Sequence, residues 1–376
     1  NPYAEMMSSF KETNFNTLNT SLSVNQNLKF ITEGLSLKAL VNFKNWSQSS
    51  YNRSIKPYFY KTKDGSWNAD TNEYDTQLLQ TGDPYLSQSG ISRDTDQTFY
   101  FDARLDWKRS FGDHNLTAMM MYMMREYRHD VLPNRNQGYS GRITYDYANR
   151  YLLEFNFGYN GSERLASGTR FEFFPAASIG WVVSSEKFWE PLSQYVNHLK
   201  VRASYGEMGN QSGIGLYDYI QLISLSNDYY PFGTGVKGQM ATSGNIISTS
   251  RTWETIQTTN VGFDFSTLNN RLYGSFDYFW KENKNMLIPK TYPSMLGADA
   301  PSTNSGHLSI HGWEISLGWR DQIKDFSYSV RFNISDAKNK VVDRVGSNLI
   351  QLGNNETPTG YPLNSYFGYE FDGIIQ

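Results

Sequence analysis

The sequence contains no cysteine among its 376 residues. A chain without cysteine forms no disulfide, no thiolate metal site and no cysteine nucleophile. No stretch approaches the roughly 18 uninterrupted apolar residues of a membrane-spanning helix, and the mean hydropathy is −0.58. Hydropathy averaging does not detect transmembrane strands, because alternating apolar and polar side chains average to a polar value. Helical membrane spans are therefore excluded, and membrane strands are not.

The net charge is small, and histidines are few. The formal net charge is −3, which predicts no nucleic-acid partner. None of the five histidines has a metal-binding spacing on a helix, and His307 and His311 lie four residues apart in a strand pattern. The glycines of Gly206–Gly215 do not lead from a strand into a helix, as a nucleotide-binding loop does. We therefore predict no metal, no cofactor and no catalytic residues.

Aromatic residues are abundant. They make up 16% of the chain, including 27 Tyr and 23 Phe, and such residues favour strands. The clearest example is the segment Gly138–Leu165. Apolar side chains occupy every second position over 139–147, except at Gly141, and again over 151–159, with polar residues or glycine between most of them. A period of two held over this length predicts a hairpin of two long strands, each with one apolar and one polar face.

The same pattern recurs along the chain and predicts about twelve strands in six hairpins. Short connections are expected near residues 30, 112, 149, 191, 269 and 323, with longer ones between them. The longest should run from about Trp46 to Thr95, with a hairpin of its own, and from about Glu207 to Thr252. A short helical turn is expected over Glu186–Asn197. Short turns at one end and long loops at the other are typical of outer-membrane barrels.

A soluble β-sandwich also alternates, so the period alone does not decide between the two architectures. Many predicted strands have about ten or more residues, whereas soluble strands average about five or six and a tilted membrane strand needs about 9–11. Aromatic side chains gather near strand ends on the apolar face, as interfacial girdles require. The other face carries charges that suit a water-filled lumen better than a packed core: Arg104, Asp106, Arg142, Asp146, Lys200, Arg202, Glu314, Arg320 and Arg331. We therefore predict an all-β fold, a transmembrane antiparallel β-barrel.

Aromatic residues of the long loops are the candidate substrate-binding residues. They are Trp67, Tyr229, Tyr230, Phe232 and Trp253. Flat rings in polar loops stack on sugar faces or pack against a partner protein. The same rings also serve to fold loops onto one another, and the sequence leaves both interpretations open.

Three runs, Phe173–Trp181, Leu199–Gly206 and Gly209–Gln211, carry a family pattern together with Trp253-Glu254 and Gly312-Trp313-Glu314. In these residues the chain resembles the SusC/RagA-type TonB-dependent transporters of Bacteroidetes outer membranes. The resemblance covers essentially the whole chain in the right order. It implies structural roles for eight residues: Phe174, Pro175, Gly180, Trp181, Tyr205, Gly206, Gly209 and Asn210.

The resemblance implies a barrel of about 22 strands with an N-terminal plug. Residues 1–376 would be a partial barrel domain, with the plug domain and the C-terminal strands absent from this chain. A SusD-like surface lipoprotein would cover the extracellular side, and the TonB–ExbB–ExbD complex would supply energy through the absent N-terminal part. The implied location is the outer membrane, in contact with its lipid, and the implied activity is energised import of oligosaccharides.

Several alternatives stay open. In the first alternative, the imported substrate is an oligopeptide, a siderophore or a cobalamin. A barrel enzyme such as a lipase or protease is another, but no convincing Ser/His/Asp grouping is found. A soluble or surface β-adhesin that only binds is a third. The first residues, NPYAEMMSSF, have no signal-peptide pattern and no initiator Met, so we expect the chain to be a fragment.

Overall fold

The computed structural model of the chain describes residues 9–232, 236–244, 246–288, 295, 301–344, 355–356, 358–370 and 373. The strands are β1 (Phe10–Asn27), β2 (Leu35–Ser54), β3 (Phe59–Asn68), β4 (Glu73–Gln80), β5 (Ser87–Gln88), β6 (Ser92–Phe111), β7 (His114–Arg128), β8 (Asn134–Tyr147), β9 (Tyr151–Ser162), β10 (Phe171–Val182), β11 (Val196–Asn210), β12 (Ile223–Phe232), β13 (Val236–Ser243), β14 (Glu254–Thr267), β15 (Leu272–Ile288), β16 (Thr303–Ile323), β17 (Phe326–Arg344), β18 (Asn355–Glu356) and β19 (Ser365–Tyr366). Two short 3₁₀ helices, Val183–Ser185 and Lys187–Leu192, separate β10 from β11. Within the described residues, no helix has the length and apolar character that crossing a membrane requires.

One sheet contains most of the strands. Its hydrogen-bonded order is β1-β2-β6-β7-β8-β9-β10-β11-β14-β15-β16-β17, with β5 paired to β2. The pairs β3–β4, β12–β13 and β18–β19 stand apart from it. The pairings along β8 to β17 are antiparallel. The prediction of an all-β antiparallel fold with about twelve main strands in six hairpins is confirmed.

The chain divides into two compact units. The first comprises Asn1–Leu22, Val41–Tyr100 and Arg125–Pro133 and includes the β3–β4 hairpin. The second comprises Ser23–Leu40, Phe101–Met124 and Asn134–Gln376 and includes strands β8 to β17. The second unit therefore holds most of the sheet.

The main strands are longer than the sequence pattern predicts. From β8 to β17 those of the main sheet have between 12 and 21 residues, whereas about 9–11 cross a bilayer. The predicted loop from Trp46 to Thr95 is wrong at both ends, because β2 continues to Ser54 and β6 begins at Ser92. Polar residues continue the ladder there, because hydrogen bonding between backbones does not require apolar side chains.

Three connections also test the prediction. The expected hairpin inside the first long loop is present as β3–β4. The second long loop contains a hairpin, β12–β13, that was not predicted. The connection between β7 and β8 is short, covering only residues 129–133, so the alternation of short and long connections fails there.

Register fixes which side chains of β8 to β17 share a face. Ile143 lies opposite Phe155, and Thr144 lies opposite Glu154. The apolar side chains are the exposed ones: Ile143 is 50% exposed and Phe155 44%. We term this side the apolar face, and the side that carries Glu154 the polar face. A sheet that exposes its apolar residues differs from a soluble one, which buries them.

The turns at one end of this sheet are tight. Between β8 and β9, Ala148 and Asn149 have φ of 49° and 55°. Two successive positive φ angles are typical of a type I′ turn, whose twist matches that of a hairpin. We term this end the short-turn end, and the opposite one the long-loop end.

Glu186 connects two strands at the short-turn end. Its carboxylate accepts hydrogen bonds from the Tyr151 hydroxyl at 2.6 Å and from Trp181 Nε1 at 3.1 Å. Arg150 lies 3.8 Å away. The Tyr151 hydrogen bond, more than that of Trp181, lowers the pKa of Glu186 below its ordinary value.

A lowered carboxyl pKa predicts a specific pH dependence. The ionised Glu186 carboxylate stabilises the folded state fully above the unfolded-state pKa, about 4.3 for a glutamate. This contribution to the free energy of unfolding is lost as the pH falls through the lower folded-state pKa. We expect the full-length protein to lose thermal stability over that range more steeply than the Glu186→Gln variant, as followed by gel mobility after heating. Glu190→Gln, at an exposed neighbour, should follow the wild type; if the two variants behave alike, the assignment is wrong.

Candidate functional site at the long-loop end and the polar face

A buried hydrophobic cluster lies at the long-loop end. It consists of Leu165, Phe174, Ile214 and Trp253, with Leu287 packed against it. Leu165 is 1% exposed and Ile214 2%. The members come from the β9–β10 connection, from β10, from both ends of the β11–β14 connection and from β15. We term it the loop-base cluster, because it joins three loops where they leave the sheet.

Hydrogen bonds reinforce this cluster. Trp253 Nε1 donates to the Arg170 carbonyl at 3.0 Å, and the Arg164 guanidinium donates to the Ile214 carbonyl. Thr169 Oγ1 donates to the carbonyl of Arg251 at 2.7 Å. Each bond joins the β9–β10 connection to the β11–β14 connection, so the two loops form one packed unit.

The connection after β15 is fixed to the same unit. Arg251 Nε donates to the Ser302 carbonyl at 3.1 Å, and the Asn304 amide donates to the Thr252 carbonyl at 2.9 Å. The Glu254 carboxylate, in a residue only 9% exposed, accepts from Asn210 at 2.7 Å and from the Leu287 backbone N–H at 2.8 Å. Buried polar groups with satisfied hydrogen bonds hold a single arrangement, so the loops leave the sheet from a fixed base.

The five predicted substrate-binding aromatics have different surroundings. Trp253 is 6% exposed and belongs to the loop-base cluster. Trp67 lies in β3, is 50% exposed and makes an edge-to-face contact with Tyr74 at 4.9 Å between ring centroids. The side chains of three others in β12 lie outside the described part of the structure: Tyr229, Tyr230 and Phe232. Substrate contact by these residues stays a prediction.

Four of the family-pattern residues lie in the loop-base cluster or beside it in sequence or space. A Cβ at Gly209 would lie 2.2 Å from the Phe174 ring, so glycine there lets the ring pack over β11. Asn210 next to it binds Glu254. Pro175 follows Phe174 in β10, opposite Phe157. Phe174, Gly209 and Asn210 thus lie where the loops meet the sheet.

The other four lie further along β10 and β11. Trp181 and Tyr205 are each 40% exposed on the apolar face. Gly206 lies opposite Ala176, and a Cβ there would come within 3.2 Å of Ala176. Gly180 lies on the polar face, where a Cβ would lie 3.2 Å from Lys200 Cε. Glycine at these two positions leaves room for the side chains of Ala176 and Lys200.

The polar face contains an open concavity of about 460 Å³ between β8 and β14. Small side chains, among them Ser178 and Ser204, lie along its floor, together with Gly180. Glu154 lies on one side, bound by Arg142 at 3.0 Å. Serine, carboxylate and ammonium groups in such a concavity can hydrogen-bond a polar ligand.

Arg202 bridges three strands on this face. Its guanidinium makes two hydrogen bonds of 2.7 Å to Asp277 of β15 and three of 3.2–3.4 Å to Asp264 of β14. Gly262 lies between Arg202 and Asp277 in register. A Cβ there would lie 2.7 Å from Asp277 Oδ1, so the absent side chain leaves the path open. We term Arg202, Asp264 and Asp277 the arginine bridge.

A metal site and a serine–histidine–carboxylate group are two arrangements that support covalent chemistry in enzymes. The described residues contain no group of three or more His, Cys, Asp or Glu that could hold a metal ion. One serine, one carboxylate and one histidine come together, but Ser309 donates to Glu282 at 2.7 Å while His307 Nε2 lies 2.6 Å from the same carboxylate. A nucleophile must bind the base directly, and here the carboxylate separates the serine from the histidine.

Comparison with known proteins identifies the family. The family model described as "TonB dependent receptor-like, beta-barrel" matches residues 3–366. TonB-dependent receptor P3 of Formosa agariphila is 31% identical over 248 residues, which are 63% of this chain and 24% of the relative. TonB-dependent receptor SusC of Bacteroides thetaiotaomicron is 25% identical over 401 aligned residues, with 98% of this chain and 39% of the relative covered. The chain thus spans about a quarter to two fifths of these curated relatives' length.

Solved structures show the same fold. The RagAB peptide importer in its "closed-closed" state has a TM-score of 0.74 and 20% identity, covering 97% of this chain and 41% of that chain. A second structure, of the RagAB peptide transporter, has a TM-score of 0.72 and 19% identity, covering 96% and 40%. At this identity the likeness shows the fold alone.

Proposed function

The chain belongs to the TonB-dependent receptor-like β-barrel family, and from this premise we propose that it forms part of a transporter that imports oligosaccharides. The SusC/RagA type and the outer-membrane location follow from the family match and from the SusC relative. The observation that carries the proposal is the exposed apolar face of β8 to β17 opposite a charged polar face. In a bilayer the apolar face contacts lipid and the polar face lines the lumen.

Import requires binding and release, and no bond needs to be broken by the described residues. Exposed aromatic rings of the loops, with Trp67 as the described example, would stack on sugar faces. Serine and asparagine groups of the polar-face concavity would hydrogen-bond sugar hydroxyls along the path. The loop-base cluster would hold the loops in place during these contacts. Because import needs only binding and release, we assign no enzymatic activity.

Two partners belong to the proposal. A SusD-like surface lipoprotein would cover the long-loop end, and the TonB–ExbB–ExbD complex would supply energy through a part of the protein outside this chain. Both derive from the resemblance to the SusC/RagA type. The partial-domain assignment, a barrel segment of a longer protein, derives from it too, and the lengths of the matched relatives support it.

Peptide import is the second candidate. The fold likeness to the RagAB peptide importer supports it. Oligopeptides would use charged groups of the polar face, such as Lys200, more than the aromatic rings of the loops. Deleting the gene and measuring growth and uptake on a panel of oligosaccharides and a panel of mixed peptides separates the two. Unchanged uptake on both panels would contradict import altogether.

Trp67→Ala tests the aromatic contact. A pair of aromatic rings contributes about 0.5–1.5 kcal/mol beyond its buried area. If a ring–sugar contact contributes a similar free energy, the full-length variant binds its oligosaccharide about three- to ten-fold more weakly, as measured by isothermal titration calorimetry. Phe188→Ala is the matched control, because Phe188 is 62% exposed at the short-turn end. Equal affinities for the two variants would contradict the role of Trp67.

A further inference from the structure

The apolar face ends in a basic region at the long-loop end of β15 to β17. Successive cross-strand rows on this face are Phe276–Ile315–Ile334, Tyr278–Trp313–Asp336, Trp280–His311–Lys338 and Glu282–Ser309–Lys340. The first row is wholly apolar, and the last is wholly polar. The face therefore changes character within three rows.

The change marks the outer edge of the membrane. Within these four rows the outermost apolar side chain is Trp280 in β15, Trp313 in β16 and Ile334 in β17, one row lower at each strand. Strands tilted by about 35–45° to the membrane normal produce such a stepped boundary. Tryptophans concentrate at the membrane–water interface, so the next side chains outward lie at the level of the lipid headgroups.

Three basic side chains occupy that level: His311, Lys338 and Lys340. His311 and Lys338 are register partners, and Lys340 is two residues further along the same face of β17. All three are exposed. No described residue forms an ion pair with either lysine. We term these three residues the basic exterior patch.

Three described carboxylates lie around this patch, and none of them forms an ion pair with its lysines. Asp336 lies one row lower, opposite Trp313, at the edge of the apolar belt. Glu282 is occupied by Ser309 and His307. Asp343 lies opposite His307, beyond the patch. Two ammonium groups on one face repel each other, and an anion placed between them removes that repulsion.

We propose that the basic exterior patch binds the phosphate of a phosphorylated lipid headgroup in the outer leaflet. Lysines bind phosphate as point charges, and basic side chains beside a membrane attract anionic lipid. The side chains project from the surface directly above the apolar belt, where a headgroup lies and a soluble substrate does not. This inference rests on the outer-membrane location and is independent of the imported substrate.

The test uses the full-length protein with purified lipopolysaccharide as the probe. Wild type and the Lys338→Gln/Lys340→Gln variant are each placed in phosphatidylethanolamine nanodiscs that contain a small fraction of lipopolysaccharide. The nanodiscs are then dissolved in detergent, and the protein is captured on an affinity resin and washed. Retained lipopolysaccharide is quantified from its hydroxylated fatty acids. We expect the double variant to retain about ten-fold less, because each lysine contributes a substantial part of the binding.

Two arms separate this site from general attraction. Lys187→Gln/Lys324→Gln removes two exposed lysines at the short-turn end and should retain as much as the wild type. Lipopolysaccharide from which phosphate has been removed should be retained by the wild type only at the level of the Lys338→Gln/Lys340→Gln variant. Gel mobility before and after heating establishes that every variant is folded.

Three outcomes would overturn the proposal. The first is equal retention by wild type and the folded Lys338→Gln/Lys340→Gln variant. The second is equal retention of phosphorylated and dephosphorylated lipid by the wild type. The third is saturable binding of radiolabelled inorganic phosphate that depends on the same two lysines, because that would make the site one for a soluble anion.

Discussion

Replacing Trp253 with alanine is expected to destabilise the folded full-length protein by about 3–5 kcal/mol. The ring is 6% exposed and packs edge-to-face on Phe174 at 5.7 Å. Its removal leaves a cavity between the β9–β10 and β11–β14 connections, and the Arg170 carbonyl loses the indole donor. The measurement is urea unfolding in detergent, with limited proteolysis of the same sample to report opening of the loops.

Two further variants separate the causes. Trp253→Phe keeps most of the packing and loses the hydrogen bond, so it should cost only about 1–2 kcal/mol. Trp67→Ala, at an exposed ring, should leave the free energy of unfolding within about 0.5 kcal/mol of wild type. If Trp253→Ala unfolds like the wild type and loses oligosaccharide binding instead, the residue contacts substrate and the packing argument is wrong.

The contrast between Trp67 and Trp253 shows what the sequence could not decide. Both are tryptophans in polar, loop-like stretches, and both satisfied the same criterion for a binding residue. Burial of Trp253 depends on Leu165 and Ile214, which are isolated apolar residues in connections far apart in the chain. Period-based reasoning has no signal for such a contact, because the residues belong to no repeating pattern.

The strands were predictable because their signal is local and repeated. In β8 and β9 the predicted alternation and the observed register agree, with Ile143 opposite Phe155 and Thr144 opposite Glu154. The extensions of β2 to Ser54 and of β6 back to Ser92 were missed because their side chains do not alternate. A backbone ladder needs no alternation outside the membrane, where water is available on both faces.

The arginine bridge was partly predictable from the sequence, less than the strands and more than the burial of Trp253. Arg202 was predicted on the polar face, whereas Asp264 and Asp277 were not among the predicted polar-face residues. Their mutual contact needed the strand order, because β12 and β13 intervene in sequence between β11 and β14. Gly262 carries no signal of its own in the sequence. Its importance follows from the space between two side chains on neighbouring strands.

Gly262→Val is therefore expected to destabilise the full-length protein by about 3 kcal/mol or more. A Cβ at this position would lie 2.5 Å from the Phe276 carbonyl oxygen and 2.7 Å from Asp277 Oδ1, and overpacking of this kind costs about 1–3 kcal/mol. The added side chain also separates Arg202 from Asp277, which leaves a half-buried guanidinium and a carboxylate without their strongest partners. Urea unfolding in detergent measures the change.

The matched control is Gly158→Val, which adds the same side chain to the same face of β9. A Cβ there would meet only the end of the Asn160 side chain, at 3.0 Å, so it should cost clearly less. In an Arg202→Met background, Gly262→Val should lower the free energy of unfolding by less than it does in the wild type. The bridge is already absent there, and only the backbone clash remains. Equal costs in the two backgrounds would mean that Gly262 serves the strand and not the bridge, and that Arg202 reaches Asp277 whatever side chain lies between them.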